Sequence, residues 1–304
     1  MNIQGQVKKY LEYCKYRKEL DDKTLKAYRI DLRQYFEFVD SNNPQKSDIE
    51  SFITDLHKKY KQKTVKRKIA SVKAFYNYLE EEEIIEENIF RKIKIRFKEK
   101  AILPRIIPRN EIELLLKYLY KNRDGSRTTK KFWLRDISVI ETCFATGARV
   151  SEISNIEKKN VDLETGLIRI MGKGGKERYI QIGSKDTLKL LQKYYNENAE
   201  MINQSGYFFV NQRGKRFSEQ SIRIMLRKYT KLAGIERNIT PHMFRHSFAT
   251  YLIEEGADIS CVQELLGHSS IKTTQIYIHV AAQKKAQILR ELHPRKHMKI
   301  DMVA

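Results

Sequence analysis

What this sequence lacks narrows it before anything it contains. Its 304 residues hold only three cysteines, Cys14, Cys143 and Cys261. They stand too far apart for a disulfide framework or a cysteine-pair zinc site, so each is read as an ordinary buried or half-buried thiol. No stretch approaches the ~20 apolar residues of a membrane-spanning helix, which excludes an integral membrane protein on this reading. The opening MNIQGQVKKY shows neither the apolar core nor the cleavage site of a secretory signal, and a cytoplasmic, reducing location is expected. Repeats and low-complexity tracts are missing too. Proline is scarce, with 5 residues, and two of them, Pro104 and Pro108, fall in one basic segment without hydrophobic periodicity.

Positive charge is what the chain has in excess. Lysine and arginine total 59 against 38 acids, a formal charge of +21. The first hundred residues carry 24 basic and 17 acidic side chains and the remainder 35 and 21, so the excess is not one detachable tail. A polyanion touched by both halves is the expected partner, the alternative being a basic surface that only keeps the protein soluble. Chains beyond ~250 residues tend to split their core, and the 41% apolar content suffices for two.

The first hundred residues read as four helices. Val7 to Tyr16 opens. A second helix follows Asp21 and Asp22, with Leu25, Tyr28, Leu32, Tyr35, Phe36 and Val39 on one face. Ser47 and Glu50 form a capping box ahead of Ile49, Phe52, Ile53 and Leu56, and Thr64 starts a fourth helix with Ile69, Val72, Phe75, Tyr76 and Leu79 as its stripe. Lys61, Lys63, Lys66, Arg67 and Lys68 at its beginning suit a phosphate backbone or merely a solvated face. The proline-bearing segment is the expected linker, residues 99–108, between domains at 1–98 and 109–285. Beyond it, Glu111 to Tyr120 is helical, 121–131 is a polar loop, and a helix covers about Leu134 to Ala145. Leu167–Met171 and Glu177–Ile182 then alternate with period two around GKGG, a β-hairpin with Lys173 at its tip. Helices resume from Asp186, and 286–304 is a basic tail.

Four fragments could carry chemistry. GKGGKE lacks the GxxxxGK and the following helix of a phosphate loop, so no nucleotide requirement follows. In TPHMFRHSFAT, Thr240 and Pro241 start a helix that sets His242 in its first turn and Arg245 three residues on, where both can meet one anion; the helix start keeps His242 mostly neutral. In ATGARVSEI, Gly147 breaks a helix before Arg149, and Glu152 is either an orienting partner or half of a purely structural pair. The helix from Asp258, closed by Gly267, and the following IKTTQIYIHV read alone as a helix-turn-helix entering the major groove.

Together and in this order, the segments resemble the tyrosine recombinase, or phage-type integrase, family, and most closely its short Xer branch. The resemblance rests on Arg149 in ATGARVSE, Lys173 in the GKG hairpin, His242 and Arg245 in HMFRH, His268 in LLGH and Tyr277 nine residues later, and on TLKAYRIDLRQYFEF and TVKRKIASVKAFYNYLEEEEII in the first domain. It implies a mainly α fold with a small antiparallel β-sheet: an N-terminal four-helix SAM-like core-binding domain and a mixed α/β catalytic domain.

The activity implied is site-specific DNA recombination without metal or cofactor, through a 3′-phosphotyrosyl intermediate. Arg149, Arg245 and His268 would hold the scissile phosphate, Tyr277 attack it, His242 serve as base, Lys173 protonate the leaving 5′ oxygen and Glu152 orient its neighbours. The partners implied are double-stranded DNA with inverted half-sites and other protomers, in a homo-tetramer or a mixed tetramer with a second recombinase, the tail making the protomer contact. Gln220 and Arg223, after Ser218, are candidates for base reading, the alternative being plain surface residues, and Lys66 and Arg67 are candidates for phosphate contact. A topoisomerase-like nicking and rejoining enzyme and a non-catalytic helix-turn-helix binder remain the alternatives.

Overall fold

A computed structural model describes residues 3–41, 44–93, 95, 97, 105–121, 127–172 and 175–267, without the side chains of 127–131. The chain divides into two compact units, Met1–Lys100 and Ala101–Ala304. Among the described residues, no helix is long and apolar enough to cross a membrane.

Four helices build the first unit: α1 (Val7–Tyr16), α2 (Asp22–Phe38), α3 (Lys46–Lys59) and α4 (Gln62–Glu81). The Asp21 carboxylate accepts the Thr24 N–H at 2.8 Å and starts α2. The start of α3 differs from the expected Ser47 and Glu50 box. Gln45 is the extended cap, and its N–H donates to the Asp48 carboxylate at 2.7 Å; Glu50, already one turn inside, pairs with Lys46 at 3.5 Å. α4 likewise begins at Gln62 rather than Thr64, because Lys61 is the last extended residue. Tyr35, Phe52, Phe75 and Leu79 fill the core, where the Tyr35 and Tyr76 hydroxyls meet at 2.8 Å. Asp31 on α2 is buried as well. Lys68 at 3.0 Å, the Ser71 hydroxyl at 2.7 Å and Arg67 all donate to its carboxylate.

The second unit wraps α6 (Arg127–Thr146) with α5 (Arg109–Lys121), α8 (Lys185–Ser205), α9 (Glu219–Leu232) and α10 (Pro241–Glu254). The expected loop is shorter than 121–131: α6 already starts at Arg127. Its early turns are anchored by Trp133, whose indole N–H donates to the Leu119 carbonyl at 2.6 Å, and by Arg135 stacked 4.0 Å over the Phe217 ring. Strands β1 (Leu167–Met171) and β2 (Glu177–Gln181) pair antiparallel, with Ile170 opposite Arg178 and Met171 opposite Glu177. Two short helices, α7 (Val150–Ser154) and α11 (Ile259–Leu266), complete the unit. Apolar residues of α5, α6, α8, α9 and β1–β2 form one continuous core, so the short elements are set on a rigid base.

Candidate active site

Helix ends and a strand make this site, beginning where α6 stops. Gly147 follows α6 with φ +57°, and a Cβ there would fall 2.5 Å from the Phe248 ring, so glycine is required both by conformation and by space. The turn leaves Arg149 extended at the cap of α7. Glu152, three residues on, accepts the Arg149 N–H at 2.8 Å through Oε2 and the Arg149 guanidinium at 2.7 Å through Oε1. The expected pairing of these two residues is present, and Arg149 keeps 37% of its side chain exposed while Glu152 keeps 5%.

Arg178, a residue that the sequence reading did not single out, completes the carboxylate. Its Nη2 donates to Glu152 Oε2 at 2.7 Å and its Nε to the Leu265 carbonyl at 2.7 Å. One signal was available. On β2, Arg178 shares a face with buried Ile180 while Glu177, Tyr179 and Gln181 are exposed, so an arginine occupies the inward parity of the strand. Burial pushes the Glu152 carboxyl upward, yet the hydrogen bonds and charges of Arg178 and Arg149 outweigh it and hold the group below its ordinary value. Glu152 is therefore an anion at neutral pH.

Arg245 supplies the second bridge. Its side chain on α10 is buried, Nη1 donating to the Gly147 carbonyl at 3.0 Å and Nη2 to the Leu266 carbonyl at 2.6 Å. Leu265 and Leu266 close α11 before Gly267, so two arginines bind carbonyls at a helix C-terminus, where the dipole favours cations. A closed circuit results: Gly147 leads along the chain to Arg149, then Glu152, Arg178, the end of α11, Arg245 and back to Gly147. Arg149 and Arg178 hold the one carboxylate and Arg245 closes the circuit through carbonyls, so three guanidinium groups share a single acid and the cluster is net positive and suited to an anion.

Pro241 opens α10 and His242 is exposed in its first turn, as expected; Thr240 is the extended cap, though its hydroxyl makes no cap hydrogen bond. His246, one turn beyond His242, is half-buried, and burial, with the neighbouring charges of His242 and Arg245, lowers its pKa. Gly172 sits at the hairpin neck, its N–H bonded to the Lys176 carbonyl at 2.6 Å, where a Cβ would stand 4.0 Å from Glu152 Oε1. Lys173, His268 and Tyr277 lie outside the described residues. Gln220 is exposed on α9, and Arg223 pairs with Glu219 at 2.9 Å. Lys66 lies 5.9 Å over the Phe97 ring, and Arg67 is engaged with Asp31.

Residues 105–284 match the phage integrase family, and residues 7–83 match the N-terminal SAM-like domain of phage integrases. The chain belongs to the phage integrase family. A tyrosine recombinase of Agathobacter rectalis is 48% identical over 300 residues, covering 97% of this chain and 98% of the relative. Tyrosine recombinase XerC of Leptospira interrogans is 34% identical, over 94% of this chain and 92% of that one. The crystal structure of XerA recombinase, 27% identical, superposes with a TM-score of 0.54 over 96% of this chain and 99% of XerA. XerH bound to a palindromic difH substrate, 24% identical, shares the fold with a TM-score of 0.74 over 95% of this chain and 85% of that one. Within this family the chain is a tyrosine-type recombinase, an enzyme with a helical first domain and a mainly helical second one holding a two-stranded sheet.

Proposed function

We propose that this site-specific recombinase cuts and rejoins DNA through a 3′-phosphotyrosyl intermediate, with the guanidinium circuit as its phosphate clamp. The observation that supports the reading most is the circuit itself, because it holds Arg149 and Arg245, whose charge cannot be lost near neutral pH, in one net-positive cluster. Breaking a phosphodiester gathers negative charge on non-bridging oxygens, which forked donors stabilise; His268 adds a hydrogen bond. The Tyr277 phenol, with an ordinary pKa near ~10, gives its proton to His242 and forms the bond to phosphorus. The 5′ oxygen leaves with a proton from Lys173. The new phosphotyrosyl ester conserves the bond, so a 5′ hydroxyl from a second duplex attacks it and releases Tyr277 without an energy cofactor.

DNA is the partner, and the +21 charge supports phosphate contact from both domains, taken as 1–98 and 109–285 around a linker at 99–108. Lys66 and Arg67 are assigned to phosphate, Gln220 and Arg223 to bases. The working assembly is a tetramer, of this chain alone or mixed with a second recombinase, joined through residues 286–304, and it acts in the cytoplasm on the nucleoid. The test uses DNA flanking the gene, searched for inverted half-sites about one helical turn long. Purified protein is expected to form a covalent adduct on that site and to exchange strands between two copies. Nicking and rejoining without exchange would favour a topoisomerase-like enzyme. Binding with no adduct would favour a helix-turn-helix binder.

A further inference from the structure

We infer that Arg178 is a positioning residue for the phosphate clamp, holding Arg149 and the end of α11 in register through Glu152 and the Leu265 carbonyl. The inference rests on the recombinase reading above, and four observations carry it. First, Arg178 joins Glu152 to the end of α11 through hydrogen bonds of 2.7 Å on each side. Second, it does so from β2, an element anchored in the core by Ile180, so the bridge starts from a fixed strand rather than from a loop. Third, its side chain is only 10% exposed, compared with 37% for Arg149. A largely enclosed guanidinium bonded on both sides has little capacity left for a ligand, whereas its half-exposed neighbour keeps a face toward solvent. Fourth, Gly267 lies directly against it: a Cβ there would fall 3.1 Å from Arg178 Nη1 and 3.2 Å from Cδ, at φ +62°. The Gly267 backbone thus lies against the Arg178 side chain with no substituent between them.

The physical logic is that α7 has five residues and α11 eight, too few to fix their own orientation by apolar burial. Without Arg178, Glu152 still meets Arg149, but nothing on the far side of the carboxylate sets its torsions, and the Leu265 carbonyl loses its donor. The Arg149 fork then samples several orientations around the phosphate position. A displacement of about 1 Å in such a group costs on the order of a hundredfold in rate. Affinity for DNA, carried by many phosphate contacts elsewhere, should hardly change.

The experiment measures single-turnover covalent-adduct formation by the full chain on a nicked duplex bearing the half-site, beside Kd for the same duplex. Wild-type adduct formation is the control, and its absence would count against the functional reading rather than this one. Arg178→Met is expected to lose about tenfold or more in cleavage rate with Kd within about threefold of wild type. A duplex whose scissile 5′ oxygen is replaced by sulfur should not restore the rate, since the clamp is needed for either leaving group. Adding Glu152→Gln to Arg178→Met should cost little beyond the single change, because the two act in series. Arg178→Lys, which keeps the charge but only one contact, should fall between, and it carries the same readings if Arg178→Met fails to bind the half-site. A wild-type cleavage rate, rescue by sulfur, or additive losses in the double variant would each overturn the inference.

Discussion

Each unit of this protein buries one carboxylate between two cations, and the two clusters do different work. In the first, Asp31 takes Lys68, Arg67 and Ser71; in the second, Glu152 takes Arg149 and Arg178. Exposure is nearly matched: Lys68 is buried and Arg178 largely enclosed, whereas Arg67 and Arg149 keep 45% and 37% of their side chains exposed. The difference lies in what else the cations hold. Lys68 turns to Gln34, so its bonds to Asp31 and Gln34 both run between α4 and α2, two long helices already joined by apolar side chains. Arg178 and Arg245 instead bind carbonyls where α6 and α11 end. A buried ion pair says little about its role until its second contacts are known. Inside a helix pair it fixes a register, and among chain ends it fixes the placement of side chains.

The sharpest way to separate clamp from proton donor is by leaving group. Arg245→Ala should lose roughly 10²–10³ or more in cleavage rate and stay impaired on a duplex with a sulfur-bridged 5′ position, because non-bridging oxygens gather charge in either case. Lys173→Ala should recover most of its loss on that duplex, since a thiolate, with an ordinary pKa near ~8.5, leaves without a proton. Equal rescue of both variants, or of neither, would remove Lys173 from the general-acid role.

A smaller effect tests the comparison of the two carboxylates. Asp31→Asn leaves a buried cation under-compensated and should destabilise the first unit by about 3–5 kcal/mol, with cleavage near wild type at temperatures where the fold persists. Glu152→Gln should show the reverse weighting, losing at least about tenfold more cleavage than Asp31→Asn under conditions that keep both folded. Thermal melts and single-turnover rates on the same preparations decide it. The pH dependence has a definite sign. Because the folded-state pKa of Glu152 is depressed, the stability from its pairing is present above the ordinary value of 4.5 and lost as pH falls through the lowered value. Melts from pH 7 to 5 should therefore be unaffected by this group, and Glu152→Gln should flatten the loss below pH 4.5.

Much of this was legible in the residues, for physical reasons that differ by element. Long amphipathic helices announce themselves by period, so α2 and α4 were readable to within a few residues of their ends. Caps were harder: Ser47 and Glu50 satisfy the capping pattern as well as Gln45 and Asp48 do, and only the backbone at Gln45 decides between them. Arg127 to Lys131 reads as loop because its residues are all polar, while the helix there is held by Trp133 and Arg135 reaching to distant partners. In the site, the pairing of Arg149 with Glu152 was readable because three residues on a helix start are neighbours. Arg178 was not, since its partners lie 26 and 87 residues away in sequence and β2 is too short for its parity to stand out.

The central claim is that Tyr277 makes the covalent bond to DNA. Tyr277→Phe removes one oxygen and little packing. On a nicked half-site duplex, run on a denaturing gel, wild-type protein should give a slow band of protein joined to DNA. The variant should bind the duplex with unchanged affinity and give no such band. A band at wild-type level from Tyr277→Phe would contradict the account and move the search for the nucleophile to another tyrosine.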